Sequence, residues 1–393
     1  MPWKDLNIMN LKTEFVLRAQ QTDNFRALCR EYGISPKTGY KWVERMLTDG
    51  LEGLNEVSRR PHTSPEVLAE DVVCRIVRLK ERHRTWGPRK IRELYERQWG
   101  GTPSESSFKR VLERAGMTEK RRVRKAGQSG RITSMLRAEA PNDVWTVDLK
   151  GWWNDPQGRC EPLTVRDEFS RFVLDARSLP NVRTEQVRRC FERLFEMHGL
   201  PAVIRSDNGT PFASAQGLLG LTKLSAWWLA LGIDLDRGRP GCPQDNGAHE
   251  RMHRDLAREV QGLAYDGRQP ALDVWRGQYN EERPHEALGM RCPAEVYEPS
   301  PRKWRGTPDE LVYEGIDTRK VTTIGTIRWN GSMLGISTAL AGWNVGLDPG
   351  PEGLADVYFA RLLIGRIEEE SSAFIPASGA APHTATSSSI DQA

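Results

Sequence analysis

From Asn142 onward the apolar residues stop recurring at helical intervals and begin to alternate, and this change of period constrains the fold more than any other feature of the chain. Val144, Thr146, Asp148 and Lys150 fall on one side of an extended segment, and Trp145, Val147 and Leu149 on the other. Residues 161–166 and 171–176 read as two more short strands, joined through Asp167-Glu168-Phe169-Ser170, so the three form an antiparallel meander. Thr184 opens a helix with Val187, Phe191, Leu194 and Phe195 on one face, and 202–205 is a fourth strand ending at Ser206-Asp207. A helix over 218–231, a short strand over 233–235 and a helix starting near Asp245 complete an α/β unit with a mixed five-stranded sheet over 141–299.

Upstream of this unit the chain is helical. Phe25, Leu28 and Cys29 share one helical face, Tyr32-Gly33-Ile34 turns the chain, and Ser35-Pro36 opens a second helix with a capping serine and a proline at its first position. This spacing is that of a helix-turn-helix domain, assigned to 1–57, in which Lys37, Thr38, Tyr40 and Lys41 lie on the early turns of the second helix, where side chains reach a major groove. A second helical module, 66–118, repeats the theme: Val72, Val73, Ile76 and Leu79 mark one helix, Trp86-Gly87-Pro88 starts another, and 104–114 gives a third with Phe108, Val111 and Leu112 inward. Its candidates for DNA contact are Arg89, Lys90 and, on the exposed face of the third helix, Ser107, Lys109 and Arg110.

Charge follows the same division. Residues 1–137 hold 29 Lys+Arg against 17 Asp+Glu, or +12, and the remainder 28 against 36, or −8, so the formal +4 conceals a basic front third. Such a region attracts a polyanion and gains affinity by releasing counterions. The run Lys120 to Arg131, inside a linker assigned to 119–140, lacks apolar periodicity, and its Arg121, Arg122, Arg124 and Lys125 suit phosphates. The six cysteines form no CxxC pair and read as reduced thiols, and no apolar run is long enough to span a membrane. Short strands around turns over 307–370, including a hairpin at Asn330-Gly331, suggest a small β-barrel; the Ser-, Ala- and Thr-rich tail 371–393 is expected to be disordered.

Three acids stand far apart within the α/β unit: Asp148 in VWTVDLKGWW, Asp207 in VIRSDNGTPF and Glu250 in PQDNGAHERMHRDL. A hard divalent cation takes a few carboxylates plus substrate phosphate oxygens, so acids converging from separate elements suit phosphoryl transfer. Singly, each has an ordinary reading as strand, turn or helix-surface acid. WTVDLKG, CEPLTVRDEFSR, IRSDNGTPF, GCPQDNGAHERMHRDL and YNEERPHEALGMRCPAEVY, in this order, resemble the DDE transposases and integrases of bacterial insertion sequences, whose core is of the retroviral-integrase, RNase H-like type. The resemblance runs from the helix-turn-helix modules to about Tyr297. It implies that Asp148, Asp207 and Glu250 bind two Mg2+ (or Mn2+) ions, that Asn208 and Gly209 shape the second acid's turn, and that Arg251 and Arg254 face DNA phosphate. It also implies cleavage at element ends to free a 3′-OH, strand transfer into target DNA, a homo-oligomer assembled on double-stranded DNA, and a bacterial cytoplasmic, nucleoid-associated location with no membrane partner.

One departure from the family pattern is the interval of 42 residues between Asp207 and Glu250, longer than usual there; the excess is expected to lengthen a surface loop or helix within 213–228. Two other readings compete. A non-catalytic DNA-binding regulator would need only the helical modules, but has no use for three mutually repelling acids. His249-Glu250-Arg251-Met252-His253 also matches the HExxH of zinc metalloproteases, though that reading leaves both aspartate motifs and the basic modules unexplained. Asp167 reads as a turn residue, His285 as a capping or packing residue, and Trp227-Trp228 as core or subunit packing.

Overall fold

The computed structural model describes residues 8–56, 68–118, 136–149, 151, 153–155, 158–238, 247–260, 267–350, 353–368 and 370–377. The chain forms two compact units, Met1–Ala69 and Glu70–Ala393.

In the first unit, α1 (Ile8–Ala19), α2 (Phe25–Glu31) and α3 (Pro36–Asp49) close around Phe15, Val16, Leu28, Cys29 and Leu54. The Ser35 hydroxyl accepts from the Thr38 backbone N–H at 3.2 Å, satisfying a donor that the start of α3 would otherwise leave unpaired. Gly39 lets α3 approach its neighbours: a Cβ there would sit 2.8 Å from Cys29 Sγ and 2.9 Å from the Phe15 ring. Helix α1 adds a third wall to the expected helix pair.

The second unit opens with α4 (Glu70–Arg82), α5 (Pro88–Trp99) and α6 (Glu105–Arg114), packed through Ile76, Leu79, Ile91, Tyr95, Phe108 and Leu112. After them come β1 (Val144–Leu149), a small hairpin of β2 (Trp153–Asp155) and β3 (Gly158–Cys160), then β4 (Pro162–Asp167), β5 (Val173–Ser178), α7 (Thr184–His198), β6 (Val203–Ser206), α8 (Lys223–Ala230), β7 (Asp234–Arg237), α9 (Gly247–Val260) and α10 (Arg268–Gly277). The main sheet has the order β5-β4-β1-β6-β7, with β1, β4 and β5 antiparallel and β6 and β7 parallel to β1. This is the integrase-like mixed sheet expected from the strand pattern.

The alternation along β1 divides the layers. Trp145 and Val147 join Phe191, Leu194 and Phe195 of α7, while a separate cluster packs Met252, Leu256 and Val260 of α9 with Leu272 and Trp275 of α10. The segment expected to lengthen a surface loop or helix instead places α8 in the core. Leu224 through Ala230 are buried throughout, with Trp228 against Phe191 and Phe212. A helix that is apolar on every side has no face to offer water, so burial is its stable placement.

Downstream, β8 (Asp317–Lys320), β9 (Thr326–Trp329), β10 (Ser332–Gly335), β11 (Asn344–Pro349), β12 (Leu354–Phe359), β13 (Leu362–Glu368) and β14 (Ala373–Pro376) do not form the expected barrel. Five of them make an open sheet, β14-β13-β12-β11-β8, and β9 and β10 pair as a separate ribbon, so among the described residues no strand pairing closes the sheet on itself. Asn330 and Gly331 both take positive φ (44° and 84°), as the tight turn between β9 and β10 requires. The chain folds back at Ala360 between β12 and β13, and β14 pairs with β13 inside the segment expected to be a tail. No helix among the described residues is long and apolar enough to cross a membrane.

Candidate metal-dependent active site

Strand register brings two of the three acids level with one another. β1 and β6 run parallel with Val144 opposite Val203, Trp145 opposite Ile204 and Thr146 opposite Arg205. Continued two residues, the same register brings Asp148 level with Asp207, which follows the last residue of β6. Thr146 and Asp148 point to the face away from Trp145 and Val147, the face covered by α9, and Glu250 stands in the first turn of that helix.

Electrostatics agree with the geometry. The Asp148 carboxyl is raised from its ordinary value of 3.8 to about 7, first by burial, then by the charge of Asp207, with a smaller push from Glu250. A backbone hydrogen bond at Leu149 opposes the rise. Asp207 and Glu250 are both exposed, and neither has an ion pair among the described residues. Gly209 N–H donates to Asp207 Oδ1 at 3.2 Å, and Asn208 Nδ2 donates to the Gly238 carbonyl at 2.7 Å, which fixes the turn. Three carboxylates drawn from separate elements are the oxygen-donor set that suits a hard divalent ion.

The HExxH imidazoles are held differently. His249 is fully buried, with Nδ1 2.9 Å from Thr146 Oγ1 and Nε2 2.7 Å from Thr164 Oγ1. His253 Nε2 lies 2.7 Å from the same Thr164 oxygen, and its Nδ1 is 4.0 Å from Asp148 Oδ2. Ligand atoms of Asp148, His249 and His253 fall within 4.8 Å of one another. Both ring nitrogens of His249 are nevertheless engaged by threonines, while Glu250 projects outward from the pair. Thr164 and His253, absent from the sequence-derived site, were legible only as the residue opposite Asp148 on β4 and the second histidine of HExxH.

Of the candidate DNA-contacting residues, Lys37, Tyr40 and Lys41 are exposed along α3 and Thr38 is half-buried. In the second unit Lys109 and Arg110 are exposed on α6, and Ser107 is tied to the capping Ser104. Arg89 is engaged, donating to Glu105 at 2.7 Å and lying 3.5 Å from Glu286. Lys90 is turned into a cavity against the α/β unit. Arg251 and Arg254 are exposed on α9, whereas Arg121, Arg122, Arg124 and Lys125 lie outside the described residues. Asp167 accepts from Asn142 N–H and from both Ser170 N–H and Oγ, the turn role expected of it. His285 packs on Tyr279.

Comparison with known proteins finds related domains along the chain. Residues 11–62 match a helix-turn-helix domain, 38–112 a homeodomain-like domain, and 138–243 and 231–293 two integrase core domain models. The 31.7 kDa protein of insertion element IS407 from Burkholderia multivorans is 27% identical over 253 residues, covering 62% of this chain and 87% of that protein. The 39.2 kDa protein of insertion element IS476 from Xanthomonas euvesicatoria is 26% identical over 249 residues, covering 62% and 70%. Among solved structures, the catalytic core domain of BIV integrase is 26% identical, with 40% of this chain and 93% of that chain covered and a TM-score of 0.32. Helix-turn-helix matches ahead of integrase core matches, together with similarity to the proteins of two bacterial insertion elements, support an insertion-sequence transposase with an RNase H-like core.

Proposed function

We propose that the chain is a DDE transposase that binds the DNA ends of its element, cleaves them to free a 3′-OH and transfers that end into target DNA. The observation that carries this reading is the register that sets Asp148 beside Asp207 on neighbouring parallel strands, with Glu250 on the helix across the same face. Asp148, Asp207 and Glu250 would hold two divalent ions, Mg2+ or Mn2+, which when bound activate the attacking oxygen and stabilise the departing one. The chain's own contribution is positional. Asp148 stands on a central strand whose neighbours fix it on both sides, and His253, itself bonded to Thr164, faces its carboxyl. Exposed cations on α3, α6 and α9 supply phosphate contacts, and oligomeric assembly on DNA would bring two element ends together.

The test is a duplex carrying the sequence that flanks the gene, incubated with the full chain and Mg2+ or Mn2+. Asp148→Asn, Asp207→Asn and Glu250→Gln should each abolish cleavage and strand transfer while leaving duplex binding within about threefold of wild type, because phosphate contacts elsewhere dominate affinity. Joining activity retained by any one of them refutes the assigned site. Binding without cleavage by the wild-type chain would favour a regulator.

A further inference from the structure

Between the second helical module and the α/β unit lies a cavity of about 430 Å³, distinct from the acid cluster and walled by five cationic side chains: Lys90 of α5, Arg166 of β4, Arg171, Arg251 of α9 and Arg283. The acids that approach them are mostly committed. Arg166 and Arg171 both pair with Glu168, Arg283 pairs with Asp255 and Glu259 at 2.7 Å each, and Glu286 lies 3.5 Å from Arg89. Lys90 and Arg251 remain, with no hydrogen bond or ion pair among the described residues, facing one cavity from two different modules.

The walls also leave buried donors unanswered. Arg166 is 1% exposed and Arg283 5% exposed, and the Nε of each has no hydrogen-bond partner; His285 Nε2, on the same cavity, has none either. Burial first, then the charge of Arg283, lowers the Lys90 ammonium to about 8, against smaller opposing contributions from Asp255, Glu259 and Glu286. Unpaired cations and buried N–H donors around one opening are complementary to a tetrahedral oxyanion, which offers several acceptor oxygens and a negative charge at once.

We propose that this cavity is a phosphate site, seating one backbone phosphate of bound DNA between Lys90 on the second helical module and Arg251 on the helix that carries Glu250. The inference rests on the reading that the chain binds DNA, and it adds a consequence. Arg251 directly follows Glu250, so a strand clamped here joins the module that captures DNA to the helix that brings the third acid. A free inorganic phosphate has the same chemistry, and the test separates the two sources.

Binding of the full chain to a labelled duplex of mixed sequence is measured against salt concentration. Each neutralised phosphate contributes about 0.9 to the slope of log K against log salt. Lys90→Ala and Arg251→Ala should therefore each lower the slope by about 0.9, and the double variant by no more than either alone, because both lose the same phosphate. Lys90→Arg, which keeps the charge, should keep the slope. A wild-type slope in both single variants overturns the proposal, as do losses that add in the double variant. Thermal protection by inorganic phosphate that Lys90→Ala abolishes, with duplex binding unchanged, would assign the cavity to a free anion and equally overturn it. Absence of duplex binding by the wild-type chain would defeat the broader reading, whereas wild-type binding with unaltered variant slopes would defeat this site alone.

Discussion

Asp148 makes the metal-free protein less stable as pH rises, and the size of the effect follows from its surroundings. Its folded-state carboxyl titrates near 7 against an ordinary 3.8. Between these values the folded chain holds a proton that the unfolded chain has released, so stability falls as pH increases through this window and levels off above about 7. At 1.36 kcal/mol for each tenfold change in proton affinity, the difference amounts to at most about 4 kcal/mol. His83 and His198, lowered to about 4, and His285, lowered to about 3, act oppositely: burial keeps them neutral, and they add stability as pH rises toward 6.5. The wild-type curve alone is therefore a sum of opposing slopes. The informative quantity is the difference between Asp148→Asn and wild type in EDTA, from urea unfolding followed by tryptophan fluorescence. That difference should grow from near zero at about pH 4 to a stabilisation of up to about 4 kcal/mol at about pH 8. Added Mg2+ should remove the wild-type penalty at the higher pH, and its affinity should weaken about tenfold for each pH step below 7, because one proton must leave for the ion to bind. A difference that stays constant across the range refutes the placement of Asp148 among buried like charges.

Arg283→Met should cost about 3–5 kcal/mol in urea unfolding, because it strips the cation from Asp255 and Glu259 at a site only 5% exposed; Arg283→Lys should fail to rescue it, since one ammonium cannot repeat two separate guanidinium contacts. Trp228→Ala should cost about 3–5 kcal/mol by the same measure, through the cavity it opens between Phe191 and Phe212. Gly39→Ala should lower hydrogen-exchange protection of α3 by about 1–3 kcal/mol, since its methyl would crowd Cys29 and Phe15; unchanged protection would contradict the close approach of α2 and α3.

What was legible in the sequence was mostly what short-range physics fixes. Ser35-Pro36 announced the start of α3, Asn330-Gly331 the turn of a hairpin, and the alternation of 144–149 the two faces of the central strand. Among the described residues no pairing closes the expected barrel, because closure depends on whether the first and last strands pair, a long-range fact that no local pattern encodes. The burial of α8 was written in LSAWWLA, apolar on all sides, but the long interval before Glu250 drew attention to length and away from composition. Arg166, on the same face of its strand as Thr164, carried the signal of a buried charge that sequence alone could not distinguish from a solvated one.

The HExxH match shows how one spacing serves two chemistries. On any helix, histidines four apart share a face, and that face here is turned to the sheet, where Thr146 and Thr164 present hydroxyls. Thr164 Oγ1 donates to the Asp148 carbonyl at 3.1 Å and lies 2.7 Å from Nε2 of both imidazoles. His253 Nδ1 stands 4.0 Å from the Asp148 carboxyl, the group whose pKa is raised to about 7. A protease would need both histidines free on a cleft with the glutamate between them and the substrate. In this chain the histidines brace the strand that carries Asp148, and Glu250, turned outward one residue after His249, is left to the cluster of acids.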